Sequence, residues 1–388
     1  METASLKTKI IAKAKEVGID KIGFTDATPF DYLKESLETQ QAAGHSTGFE
    51  HPIMADRLYP DRIFDQPKSI ISIALAYPSS VKDSIAQDKN NRRGALARAS
   101  WGIDYHHILR DRMAQLIDFI KAETQDATFK PMVDTGELID VVTAQRAGLG
   151  FIGRNGLLIT SEFGSYVYLG EIITNIEFEP DQPGEFGCGD CYRCVNACPP
   201  QALLGDGRLN GRRCLSYQTQ TKGYMPLEFR RKISHTIYGC DICQLVCPYN
   251  KGIDSHIHPE MEVSAAEVQP ELKPLLTISN KDFKNQFGHM ACAWRGKKPL
   301  QRNAIIALAN YRDQTAIPKL LEVLEMDTRP MIRGTAAWAI SQIERYYQPS
   351  IIECVAKHLA KETDPETIDE MSAALASLKA KRLPKDQL

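Results

Sequence analysis

The twelve residues CGDCYRCVNACP, Cys188–Pro199, decide the reading of this chain. Their spacing, C-x2-C-x2-C-x3-C-P, is that of the bacterial ferredoxin run for a [4Fe–4S] cluster. Three thiolates take corners of one cubane, and the fourth cysteine, turned away before proline, ligates a second. Zinc sites instead pair one C-x2-4-C with a distant second pair. CDICQLVCP, Cys240–Pro248, supplies three more thiols and the same terminal Cys-Pro, and Cys214 is the one cysteine between the two runs. Crossed ligation then assigns Cys188, Cys191, Cys194 and Cys247 to the first cluster, and Cys198, Cys214, Cys240 and Cys243 to the second. Cys292 and Cys354 remain and read as small buried hydrophobes.

The rest of the chain sets the context. Its 388 residues are enough for two or three domains, and 43% hydrophobic and 25% charged residues are ordinary for a globular protein. The longest strongly apolar run, Ser69–Tyr77, is far short of the about 20 residues a membrane span needs. Lysines interrupt the apolar residues near the N-terminus, unlike a signal peptide. The expected compartment is the cytoplasm, where clustered cysteines serve metals more than disulfides. A net charge of −2 confines any nucleic-acid site to a local patch.

Three segments follow. Residues 1–175 alternate helical and strand patterns, as in an α/β domain. Helix is expected over Leu6–Val17, closed by Gly18, and again over Ile108–Ala122 and Leu138–Ala147. Strand is expected over Ile19–Phe24, Ile70–Tyr77, Leu157–Thr160 and Tyr166–Ile173. Residues 176–287 carry the cysteines and little periodicity, as expected of a ferredoxin-like domain held by inorganic cofactors. Residues 288–388 are helical. Pro299–Leu308 aligns with Pro330–Ala339 at an offset of 31 residues, which points to HEAT-like helical hairpins.

Gly148-Leu-Gly150-Phe-Ile-Gly153 matches G-x-G-x-x-G, but a helix precedes it and a strand follows, the reverse of a dinucleotide site. Arg154-Asn155-Gly156 comes next, a polar turn able to approach a large ligand closely.

Here the chain resembles the epoxyqueuosine reductases. The resemblance rests on VDTG (Val133–Gly136), AQRAGLGFIGRNGLLI (Ala144–Ile159), WGIDYH (Trp101–His106), the two cysteine runs with Cys214 between them, and AWRGKK (Ala293–Lys298) before the repeat. Arg154 stands where many members carry lysine. The resemblance implies cobalamin in the first domain and reduction of the epoxide of epoxyqueuosine, at the wobble position of a tRNA, to queuosine. It implies electrons passing singly through the two clusters from an external flavodoxin- or ferredoxin-like donor, and a monomer. The D-x-H-x-x-G cobalamin signature is absent: Asp104-Tyr-His106 and Asp254-Ser-His256 begin it, but Leu109 and Pro259 take its last place. That fits cobalamin bound base-off, without a histidine ligand, as in the family.

By the same resemblance Asp134 is the general acid that protonates the opened epoxide. Its spacing to Glu137 equally fits a helix N-cap. Arg57, Ala97, Asp134, Arg154, Asn155, Leu158, Ser216, Asp241 and Ile242 are implied cobalamin contacts. For tRNA, residues 205–235 hold seven Lys or Arg against two acids, and 289–303 hold four and no acid. Lys222, Tyr224, Trp294, Arg295, Lys297 and Lys298 are the candidate contacts, cations for phosphates and rings for unpaired bases. The competing class is an electron-transfer subunit that docks on a partner and has no chemistry of its own.

Overall fold

The computed structural model describes residues 2–86 and 88–383. Compactness does not follow chain order. One unit comprises Met1–Ser80, Trp101–Cys214 and Asp241–Glu262; the other comprises Val81–Ser100, Leu215–Cys240 and Val263–Leu388.

The first unit is built on a four-stranded sheet of β1 (Lys21–Asp26), β2 (Ser69–Ala76), β3 (Phe129–Met132) and β4 (Val167–Thr174), in the order β1-β2-β4-β3. Every pairing is antiparallel, although helices alternate with the strands. All eight residues of β2 are buried, as its unbroken apolar run requires of a central strand covered on both faces. Helix α1 (Glu2–Glu16) buries Leu6, Ile10 and Ala14 at helical spacing, and Gly18 follows at φ 82°, the left-handed position that ends a helix. Helix α2 (Tyr105–Glu123) packs against it, starting from Asp104, whose side chain accepts the His106 amide. Helix α3 (Asp140–Arg146) lies on β4. The glycine-rich stretch after it enters a hairpin, Phe151–Ile152 with Leu158–Ile159, so no helix follows the glycines.

The second unit stacks helices α4 (Lys297–Tyr311), α5 (Ile317–Met326), α6 (Pro330–Ile343), α7 (Pro349–Leu359) and α8 (Pro365–Lys379). Helices α4, α6 and α8 pack in a row, with α5 and α7 as the return arms. Four of the five carry proline at the first or second helical position, where its missing N–H costs nothing. Arg302, counted above in a basic patch, is fully buried. Its guanidinium donates to the carbonyls of Gln218 (2.7 Å), Thr221 (2.9 Å) and Gly223 (2.8 Å), at the C-terminal end of the helix Leu215–Gln220. A cation there satisfies carbonyls the helix leaves open. Among the described residues, no helix is long and apolar enough to cross a membrane.

Candidate active site and cluster-binding segments

The two Cys-Pro runs fold alike. The helical turn Arg193–Ala197 ends at Cys198, the turn Ile242–Leu245 runs toward Cys247, and the two turns pack together. None of the ten cysteines is in a disulfide. Burial pushes the Cys194 thiol up, and its neighbours Cys188 and Cys247 push it further. The same holds for Cys247, with Cys188 and Cys191 as neighbours. Four sulfurs within electrostatic reach of one another are the set expected for the first cluster. A cubane bound by ionised thiolates suits this crowding, because iron replaces the protons that mutual repulsion would otherwise retain. Within the second set, the Ala202 amide donates to Cys198 Sγ at 3.3 Å.

Asp134 does not cap a helix: α3 begins six residues later, and Glu137 is instead paired with Lys130 at 2.6 Å. It sits in the loop after β3 with φ 51°, a left-handed conformation that Asp adopts more readily than most residues. The Thr135 amide donates to the Val133 carbonyl across it. Its carboxylate is mostly exposed and lies 3.5 Å from His106 Nε2, while Asp104 lies 2.8 Å from Nδ1. Burial alone would lower His106, but the hydrogen bonds to Asp104 and Asp134 prevail and raise it to about 9. The ring is further fixed by stacking: His106 on Tyr105, and Tyr105 on Tyr168 with centroids 4.3 Å apart and planes within 5°.

Behind the loop stand two carboxyl groups that sequence reasoning passed over. Asp140 accepts the Asp134 amide at 3.1 Å, and Glu171 is fully buried in β4. The signal for Glu171 was present, as a lone charged residue in the strand VYLGEIIT. Asp140 carried none that separates it from an ordinary first-turn acid. His106 lay within a quoted stretch, but its bridging place between two aspartates needed the fold.

Arg154 is engaged with the cluster loops. It donates to the carbonyls of Gly205 (2.6 Å) and Gly189 (2.7 Å), and its guanidinium lies over the ring of Tyr192 at 4.0 Å. Asn155 beside it is 5% exposed, and among the described residues its Nδ2 donor has no partner. Leu158 is buried in the adjacent hairpin, and Arg57 is half-buried on the short helix Met54–Leu58. Asp241 and Ile242 begin the turn before Cys243.

In the second unit Ala97 is buried and Ser216 half-buried. Tyr224 donates to or accepts from Thr367 Oγ1 at 2.8 Å and presses on Gly334, so its hydroxyl is tied into the repeat. Arg230 is buried against Glu370. Trp294 remains 52% exposed, with Nε1 on Gln220 and Arg295 over its ring at 4.0 Å. Lys297 donates to the Ile278 carbonyl at 2.8 Å, whereas Lys222 and Lys298 are exposed.

Three family models match: epoxyqueuosine reductase QueG, DUF1730, over residues 57–135; a 4Fe-4S double cluster binding domain over 187–250; and HEAT repeats over 295–376. The chain is 54% identical to an epoxyqueuosine reductase of Listeria monocytogenes over 370 residues, 95% of this chain and 97% of that one. A solved epoxyqueuosine reductase with a tRNA-Tyr epoxyqueuosine-modified tRNA stem loop matches at 51% identity and TM-score 0.94, over 97% of this chain and 100% of that one. The epoxyqueuosine reductase of Bacillus subtilis, solved with its Asp134 catalytic loop swung out of the active site, matches at 50% identity and TM-score 0.94, with the same coverage. The chain belongs to the epoxyqueuosine reductases, a family of oxidoreductases.

Proposed function

We propose that this chain reduces the epoxide of epoxyqueuosine, carried at the wobble position of a tRNA, to the alkene of queuosine. The change removes one oxygen as water and consumes two electrons and two protons. The observation that carries the assignment is the Asp134 loop: a carboxyl group aimed out of the fold, gripped from behind by Asp140 and flanked by the His106 cation.

Each residue has a definable task. Asp134 delivers a proton to the oxygen released when the epoxide opens, the work of a general acid. A relative of half-identical sequence has a catalytic loop named for an aspartate of the same number, which supports this role. His106, fixed by Asp104, orients the Asp134 carboxyl and balances its charge once the proton has left. The solvent-facing Lys222 and Lys298, with the Trp294 ring and Arg295, are the groups available to phosphates and unpaired bases.

The residues present fit the two cofactors that the family implies. Cysteines 188, 191, 194 and 247 would hold one [4Fe–4S] cluster, and 198, 214, 240 and 243 the other. The Asn155 Nδ2, buried and without a partner among the described residues, fits the peripheral amides of a corrin; the resemblance adds Arg57, Ala97, Arg154, Leu158, Ser216, Asp241 and Ile242. Bound base-off, cobalamin would supply a low-coordinate cobalt able to take single electrons from the clusters and react with the epoxide. The upstream donor is proposed to be a flavodoxin- or ferredoxin-like protein, and the enzyme a cytoplasmic monomer.

The direct test is anaerobic turnover of an epoxyqueuosine stem loop by reconstituted protein with a strong reductant. Mass spectrometry should find loss of one oxygen from the modified nucleoside, dependent on added cobalamin. Turnover without cobalamin, or none with it, contradicts the assignment.

A further inference from the structure

The loop that presents Asp134 is held by groups that take no part in the chemistry assigned above. Strands β3 and β4 pair Met132 with Glu171, so the loop leaves its strand beside the Glu171 side chain. Glu171 is fully buried, and among the described residues its carboxyl oxygens have no hydrogen-bond partner apart from the Asp140 carboxyl group. Ser72 stands opposite Glu171 in β2, and its buried Oγ is also without a partner. Asp140 opens α3, which packs on β4, and its carboxyl group interacts with that of Glu171. The Asp140 Oδ2 atom accepts the Asp134 amide at 3.1 Å. Asp134 meanwhile keeps a left-handed φ of 51°, which a non-glycine residue holds only when its surroundings require it.

We propose that Asp140 is a positioning residue for the reaction: sharing one proton with Glu171, it latches the Asp134 amide and so keeps the catalytic carboxyl group presented. This role rests on the function proposed above. Two facing carboxyl groups, one fully and one half buried, resist ionising together, so one proton stays between them. Burial, and then the neighbouring carboxylates, push Glu171 well up and Asp140 to about 6. While the proton is shared, one carboxyl oxygen of Asp140 is tied to Glu171 and the other is free for the amide. Once it is lost, two like charges face each other. Asp140, half-buried at a helix start, is then the one that moves, and it releases the amide.

Among the described residues, the surroundings offer the pair no counter-charge. Strand β2 presents Ser72. On β3, Lys130 is taken by Glu137. On α3, Arg146 is committed to Thr25, Asp26 and Thr28 near β1, where Lys21 pairs with Glu162. His106 and Asp104, from α2 and its cap, reach the pair only through Asp134.

The test is amide hydrogen exchange of the full-length reconstituted protein without substrate, quenched on the millisecond scale and corrected for intrinsic rates. The segment is 133–139, followed at two pH values, one below and one above the loss of the shared proton. Asp140→Ala should raise exchange of the Asp134 amide about tenfold at both, the loss of one hydrogen bond to a charged group. The wild type should exchange faster at the higher pH. Asp140→Asn keeps an acceptor for the amide and gives Glu171 a permanent donor, so it should stay protected at both. In turnover, Asp140→Ala should lower kcat with KM retained, and Asp140→Asn should restore kcat. Unchanged protection in Asp140→Ala, or a pH response in Asp140→Asn equal to the wild type, overturns the latch. Peptides from β2 and β4 report in the same data whether a variant is folded. If Asp140→Ala unfolds, Asp140→Asn decides alone. Because exchange needs no substrate, failure of the latch leaves the assigned reaction standing, and failure of the reaction leaves the exchange result intact.

Discussion

His106 should titrate near pH 9 instead of near 6.5, and the two carboxylates beside it should contribute unequally. Asp104 lies 2.8 Å from one ring nitrogen with its side chain 23% exposed. Asp134 lies 3.5 Å from the other and is 59% exposed. Asp104→Asn should therefore lower His106 by about 1.5 pH units, and Asp134→Asn by about half a unit, since screening weakens the exposed partner. The rise from 6.5 to about 9 corresponds to about 3.5 kcal/mol, at about 1.4 kcal/mol for each pH unit. Solvent around Asp134 leaves about half of that as stability. The folded value lies above the unfolded one, so this contribution is complete below pH 6.5 and is lost as pH rises through 9. Histidine-selective carbon-13 labelling and a pH titration by NMR give the ring directly, with His106→Gln to assign its signal. Denaturant melts at the two ends of the window give the energy. A wild-type His106 titrating near 6.5, or a larger shift from Asp134→Asn than from Asp104→Asn, would refute the bridging geometry.

Other expectations follow from the same sites. Asp134→Ala should retain cobalamin and both clusters by absorption spectroscopy and lose turnover by about 10²–10⁴. Cys214→Ala should lower bound iron from about eight to about four atoms per chain by colorimetric assay, because one cubane loses a corner and the other keeps its four thiolates. Lys222→Ala with Lys298→Ala should flatten the dependence of log K on log salt by about 1.5 in tRNA binding, uniformly across tRNA sequences. Lys297→Ala, whose ammonium is spent on the Ile278 carbonyl, should alter that slope little and lower the melting temperature instead. Arg302→Leu should cost about 3 kcal/mol in denaturant melts, as three buried carbonyls lose their donor.

What the sequence made legible was covalent spacing and periodicity. Cysteine spacing in Cys188–Pro199 and Cys240–Pro248 needs no tertiary knowledge, because a cubane dictates it. The all-apolar β2, the Gly18 stop and the Pro330 start are local consequences of burial, φ and a missing N–H. Strand direction was not legible: alternating helices and strands build parallel or antiparallel sheets, and in the four-stranded sheet every pairing is antiparallel. The fate of basic residues was not legible either. Arg302 and Lys298 share one patch in the sequence, yet one is fully buried as a helix cap and the other faces water. Asp134 could be read as a cap or as an acid, and the placement of α3 six residues later removed the cap. The carboxyl pair behind it is a contact between a strand and a helix 31 residues apart, which neither local pattern announces.

The central claim is that this chain converts epoxyqueuosine in tRNA through Asp134. Nucleoside analysis of bulk tRNA tests it most directly, using a strain lacking the gene and complemented with the wild-type or the Asp134→Ala chain, at matched protein and cluster content. Epoxyqueuosine should accumulate in the deletion strain, give way to queuosine with the wild type, and persist with Asp134→Ala. Normal queuosine in the deletion strain would contradict the reaction, and full restoration by Asp134→Ala would contradict the acid.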